Sequence, residues 1–80
     1  SVGRSIHKLS ATAVAKAKEP GYFGDGGGLW LQVSAAGTKS WIFRFTLAGR
    51  AREMGLGPLH TVTLADARIK AADCRRQVLE

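Results

Sequence analysis

Asp25-Gly26-Gly27-Gly28-Leu29-Trp30-Leu31-Gln32-Val33, then Lys39-Ser40-Trp41-Ile42-Phe43-Arg44-Phe45 after a short break, alternates in both halves. Leu29, Leu31 and Val33 fall on one face of the first half, Trp30 and Gln32 on the other. In the second half Trp41, Phe43, Phe45 and Leu47 share a face, and Ile42, Arg44 and Thr46 share the opposite one. A period of two in runs this rich in aromatic and branched residues means half-buried strands. Ser34-Ala35-Ala36-Gly37-Thr38 between them has the length and the glycine of a hairpin loop. The result is a sheet with one greasy face and one face carrying tryptophan, glutamine, threonine and arginine.

Upstream, Ser10 can cap a short helix over Ala11-Thr12-Ala13-Val14-Ala15-Lys16-Ala17-Lys18, with Leu9 and Val14 placed for a hydrophobic staple. Pro20-Gly21 stops it. Tyr22 and Phe23 are expected to cover an open end of the core before the glycines turn the chain into the first strand. Those glycines do not make a phosphate loop, because such loops follow a strand and open a helix. Positive φ and close backbone approach explain them better.

Downstream, Ala48-Gly49-Arg50 reads as a turn and Ala51-Arg52-Glu53-Met54-Gly55-Leu56 as a third strand, with Met54 and Leu56 facing the core and Gly55 marking a bulge. Gly57-Pro58 ends it. Thr63-Leu64-Ala65-Asp66 opens the last helix with a capping-box pattern. Leu64, Ala67, Ala71, Cys74 and Val78 then form one apolar stripe, bordered by Arg68 and Arg75 as snorkelling side chains. The expected fold is α+β: a three-stranded antiparallel sheet packed against a C-terminal helix, with a short N-terminal helix. One domain fills residues 1–80, with a flexible start over 1–8. The helical pattern still running at Glu80 reads as a boundary inside a longer protein.

Twelve Lys+Arg against six Asp+Glu leave a net charge of +6 and a pI near 10.3. On so small a domain that excess points to a polyanion, with nucleic acid the commonest, although a solubilising excess produces the same total. A single cysteine, Cys74, excludes an internal disulfide framework and fits a reducing cytosol. No apolar run approaches the ~18 residues of a membrane span, and no signal-peptide core is evident. His7 and His60 show no metal spacing, and the acidic residues are scattered in turns and caps. No nucleophile sits beside an evident base. The chain reads as non-catalytic, with no metal and no cofactor.

Leu9-Ser10 before a short helix, the Asp25–Val33 run, Gly37-Thr38-Lys39-Ser40-Trp41-Ile42-Phe43-Arg44-Phe45, Leu56-Gly57-Pro58 and Leu64-Ala65-Asp66-Ala67-Arg68 come in a telling order and spacing. From Leu9 to its end the chain resembles the amino-terminal arm-type DNA-binding domain of tyrosine-type site-specific recombinases, the integrases of temperate phages and genomic islands. The resemblance implies a three-stranded sheet that binds arm sites flanking the recombination core. It also implies a parent integrase acting in DNA integration with other integrase protomers, in the cytoplasm of a bacterial host. Strand exchange in that family belongs to later domains with a tyrosine nucleophile; Tyr22 lies outside any such constellation. Arg50 and Arg52 sit where the family carries basic residues, whereas Glu53 beside them is unfavourable for phosphate contact.

The DNA-binding residues expected on the sheet are Trp30, Gln32, Arg44 and Thr46 at its centre and Lys39, Arg50 and Arg52 nearer the turns. Two other readings compete. A double-stranded RNA-binding module shares the architecture but starts its helix with lysines, which Leu64-Ala65-Asp66-Ala67 does not. A protein-interaction module would use exposed Trp30 and Ile42 as its patch.

Overall fold

The computed structural model describes residues 8–79, without the Leu79 side chain. His7, Glu80 and all of the expected flexible start except Lys8 lie outside the described residues. The elements run α1 (Ala11–Lys16), β1 (Gly21–Gly26), β2 (Leu29–Val33), β3 (Lys39–Leu47), β4 (Arg50–Pro58) and α2 (Leu64–Leu79). The strands form one antiparallel sheet in the order β1-β2-β3-β4.

The sheet therefore has four strands, and the three-strand expectation is corrected by β1. Tyr22 and Phe23, expected to plug the end of the core, pair with Gln32 and Leu31. The glycines at 21, 24 and 26 hid this strand, since glycine disfavours strands on its own. Pairing to β2 holds it regardless. Gly27 and Gly28 then form a two-residue hairpin turn with φ of +65° and +91°. A Cβ on Gly28 would lie 2.7 Å from the Arg44 carbonyl oxygen and 2.8 Å from Phe43, so β3 closes directly over this turn.

One face of the sheet is the core. Leu29, Leu31, Val33, Trp41 and Phe43 are buried there with Val14, Val62, Ala67 and Ala71. The small side chains of Ala67 and Ala71 let α2 approach the sheet closely, as their helical spacing anticipated. Trp41 Nε1 donates to the Val62 carbonyl at 2.7 Å, so the one polar atom of that buried ring is satisfied. Phe45 and Leu47 share this face but not its burial: β3 pairs with β2 only as far as Phe43, and Leu47 is 47% exposed.

Both helix caps follow the sequence. Ser10 Oγ accepts from the Ala13 N–H at 3.0 Å and Thr63 Oγ1 from the Asp66 N–H at 3.2 Å. Helix α1 ends at Lys16, short of the expected Lys18. The bulge of β4 falls at Leu56: Trp41 pairs with Gly57 and Ile42 with Gly55, leaving Leu56 as the extra residue. Leu56 still packs against the core, while Met54 stays 44% exposed at the sheet's open edge, its sulfur 3.8 Å from Cys74 Sγ.

Asp25 is the extra residue of a second bulge, between Gly24 and Gly26, and its side chain is buried. Arg68 on α2 meets it with two bonds, Nε to Oδ2 at 2.9 Å and Nη2 to Oδ1 at 3.0 Å. Leu9 joins them, its N–H on Asp25 Oδ1 at 2.8 Å and its carbonyl accepting from Arg68 Nη2 at 2.7 Å. Hydrogen bonding to Asp25 holds the Arg68 guanidinium above its ordinary pKa, against the cost of desolvation. Arg68 is thus an ion-paired strut and not a snorkelling border residue. Arg75 is likewise engaged, donating to the Gly27 carbonyl at 2.7 Å.

Candidate nucleic-acid interface

The face of the sheet turned away from α2 collects every second residue of each strand. Across it run the pairs Tyr22 with Gln32 and Ser40, Gly24 with Trp30 and Ile42, Arg44 with Glu53, and Thr46 with Ala51. Directly paired residues in an antiparallel sheet project the same way, so register alone assembles this surface.

Its centre is a cation held over two aromatic rings. Arg44 Cζ lies 4.6 Å from the Tyr22 ring centroid and 5.4 Å from that of Trp30. Gly24 makes room for the indole: a Cβ there would stand 3.2 Å from the ring. Gln32 Nε2 donates to the Tyr22 hydroxyl at 3.3 Å. Arg44 Nε donates to Glu53 Oε2 at 2.8 Å, a pair whose side chains are 42% and 47% exposed. Exposed pairs of this kind contribute only ~0–1 kcal/mol, so stability does not explain the arrangement.

Trp30, Gln32, Arg44 and Thr46 thus share one surface, as their alternation required. Arg50 and Arg52 do not join it. They pair with Leu47 and Phe45 and project from the other side of the β3–β4 ribbon, both exposed. The period that turns Met54 to the core side carries Arg52 and Arg50 with it. Because β3 and β4 outrun β2, this end of the ribbon has open space on both sides. Lys39 stands apart from all six. Its ammonium donates to the carbonyls of Val14 at 2.8 Å and Ala15 at 3.0 Å, satisfying the last turn of α1 from the core side of the sheet.

Two members of the cluster were missed by the sequence reading. Tyr22 enters because β1 is a strand, and Glu53 because the β3–β4 register sets it opposite Arg44. Ile42, expected to be exposed beside Trp30, is only 8% exposed, since the large indole across the strand pair takes its solvent contact. The apolar patch that a protein-interaction surface would need is therefore not open. Among the described residues, no group of three His, Cys, Asp or Glu is gathered as a metal site, and no helix is long and apolar enough to cross a membrane.

Comparison with known proteins finds integrases of phages and a prophage. The integrase of Enterobacteria phage P4 is 38% identical over 78 residues, covering 91% of this chain and 18% of that protein. The integrase of Shigella phage Sf6 and the prophage integrase IntS of Escherichia coli (strain K12) are each 37% identical over 65 residues, 80% of this chain and 17% of theirs. The chain thus spans less than a fifth of the length of these curated relatives. The family described as Arm DNA-binding domain matches residues 9–80. With that match over nearly the whole chain, on a sheet whose open face carries a stacked arginine, the chain belongs to the Arm DNA-binding domain family.

Proposed function

We propose that this domain grips double-stranded DNA by the open sheet face and the projecting β3–β4 ribbon, and so targets a parent integrase to arm-type sites during DNA integration. Arg44 held over Tyr22 and Trp30 is the observation that carries the reading. It presents a guanidinium where the two-stranded β3–β4 ribbon leaves the sheet, and a two-stranded ribbon is an element the major groove admits. Trp30, Gln32, Arg44 and Thr46 face the bases, where arginine suits guanine and glutamine suits adenine. Arg50 and Arg52 meet phosphates from the ribbon's other side. Lys39 supports α1 and contributes to the field without a contact of its own. The module itself is non-catalytic; strand exchange and contacts with other integrase protomers fall to the rest of the parent protein, acting on the chromosome in the host cytoplasm.

Titration on a duplex at several salt concentrations tests this. With Arg50, Arg52 and two or three of the chain's other cations neutralising ~4–5 phosphates, affinity should fall with salt at a log–log slope of about −4. Arg50→Ala and Arg52→Ala should each flatten the slope by roughly one unit on any duplex. Arg44→Ala and Gln32→Ala should lose preference for a selected duplex over its scrambled form. A slope near zero, or tighter binding to duplex RNA than to DNA, sinks the proposal.

A further inference from the structure

Glu53 is an acidic side chain on the edge strand of a surface offered to a polyanion, and it is held there by geometry. It sits directly opposite Arg44 in the β3–β4 register and takes the Nε hydrogen of that guanidinium with Oε2. This is a single side-on bond. Arg68, by contrast, spends both Nε and Nη2 on the Asp25 carboxylate. Glu53 therefore steers Arg44 while leaving the end-on pair of Nη groups without a partner among the described residues. The rings of Tyr22 and Trp30 fix the same guanidinium from a second direction.

We propose that Glu53 is a specificity-determining residue of the DNA-binding face, accepting a hydrogen bond from the N4 amine of a cytosine beside the guanine taken by Arg44. The inference rests on the DNA-binding reading above and adds the residue that makes the face selective. An arginine has donors only and a carboxylate acceptors only. Together they complement guanine, which offers O6 and N7, and cytosine, which offers its amine. The same carboxylate opposes a phosphate: wherever the face meets a backbone in place of base edges, Glu53 weakens the contact. Glu53 thus lowers affinity for random duplex and raises the contrast with the right one. Its exposed position, with no buried partner, frees it for this role at little cost to the fold.

The test uses the 80-residue chain and a duplex library randomised over about one helical turn, ~10 base pairs. Wild type, Glu53→Gln and Arg44→Ala each select from it. The wild-type pool should be enriched in guanine at one position and in cytosine at the position beside it. The Glu53→Gln pool should lose the cytosine preference there, and that variant should hold a scrambled duplex roughly fivefold more tightly, with a smaller gain or a loss on the wild-type-selected duplex. Its melting temperature should match wild type, which separates the effect from misfolding. An unchanged Glu53→Gln pool, or a parallel rise on both duplexes, overturns the inference and leaves DNA binding standing. A wild-type chain that retains no duplex overturns the DNA-binding reading itself.

Discussion

Trp41 is the largest fully buried side chain, and its ring serves the fold in two ways. The carbon surface fills the centre of the core against β2 and the segment before α2, while Nε1 satisfies the Val62 carbonyl. Trp41→Ala should cost ~3–5 kcal/mol, much of what a domain this small possesses. Trp41→Phe separates the two roles: it keeps most of the volume but orphans the buried carbonyl, at ~1–3 kcal/mol. Denaturant melts should place Phe between wild type and Ala. A Trp41→Ala protein that melts with the parent would mean that the faces of the sheet are reversed. Trp30, on the open face, should lose little stability on the same truncation.

The four strands are joined by turns that differ in what surrounds them, and that difference is measurable. Gly28 and Gly37 have nearly the same φ, +91° and +90°. Nothing lies within 4 Å of a Cβ at Gly37, whereas one at Gly28 meets the Arg44 carbonyl and the Phe43 ring. Both substitutions by alanine bear the left-handed backbone cost of roughly 1–2 kcal/mol. Gly28→Ala adds a steric clash against β3 and should be worse by a further ~1 kcal/mol or more. Equal losses in chemical denaturation would show that β3 can yield at that turn. Ala48, at φ +53° beside Gly49, is the converse case: an alanine already in a glycine-like conformation at the β3–β4 turn. Ala48→Asn should stabilise the hairpin by ~0.5–1 kcal/mol, since asparagine suits such turns. A lower melting temperature would contradict that account.

At the scale of the molecule, Asp25 and Arg68 join parts distant in sequence: the segment entering α1, the bulge of β1 and the first half of α2. Arg68→Ala removes two charge-assisted bonds from a buried carboxylate and should cost ~3 kcal/mol or more. Asp25→Asn leaves a partly exposed guanidinium that water can reach and should cost less, ~1–2 kcal/mol. The sign of the pH dependence follows from the raised pKa of Arg68. A cation whose pKa is raised by folding contributes stability fully below its unfolded value and loses it only as pH rises through the folded one. The Arg68 contribution should therefore be the same near neutrality and in mildly alkaline buffer. A wild-type to Arg68→Ala gap that shrinks between those two conditions would refute it.

Alternation was enough to determine β2 and β3 and to divide Leu29, Leu31, Val33, Trp41 and Phe43 from Trp30, Gln32, Arg44 and Thr46, because a two-residue period needs no partner to be visible. Helical spacing and capping chemistry likewise determined α2 and the starts of both helices. The order of these motifs carried the family. Three matters were left to the tertiary structure. Strand β1 has a glycine-rich sequence that is a strand only once β2 is beside it. What surrounds Arg50, Arg52 and Lys39 depended on β3 and β4 outrunning β2 and on where α1 ends. Two carboxylates scattered in sequence, Asp25 and Glu53, took unlike roles, one sealed against Arg68 in the interior and the other holding Arg44 at the surface. Local pattern records which way a side chain points along its own strand. What it meets there depends on chain segments tens of residues away, and only folding brings those together.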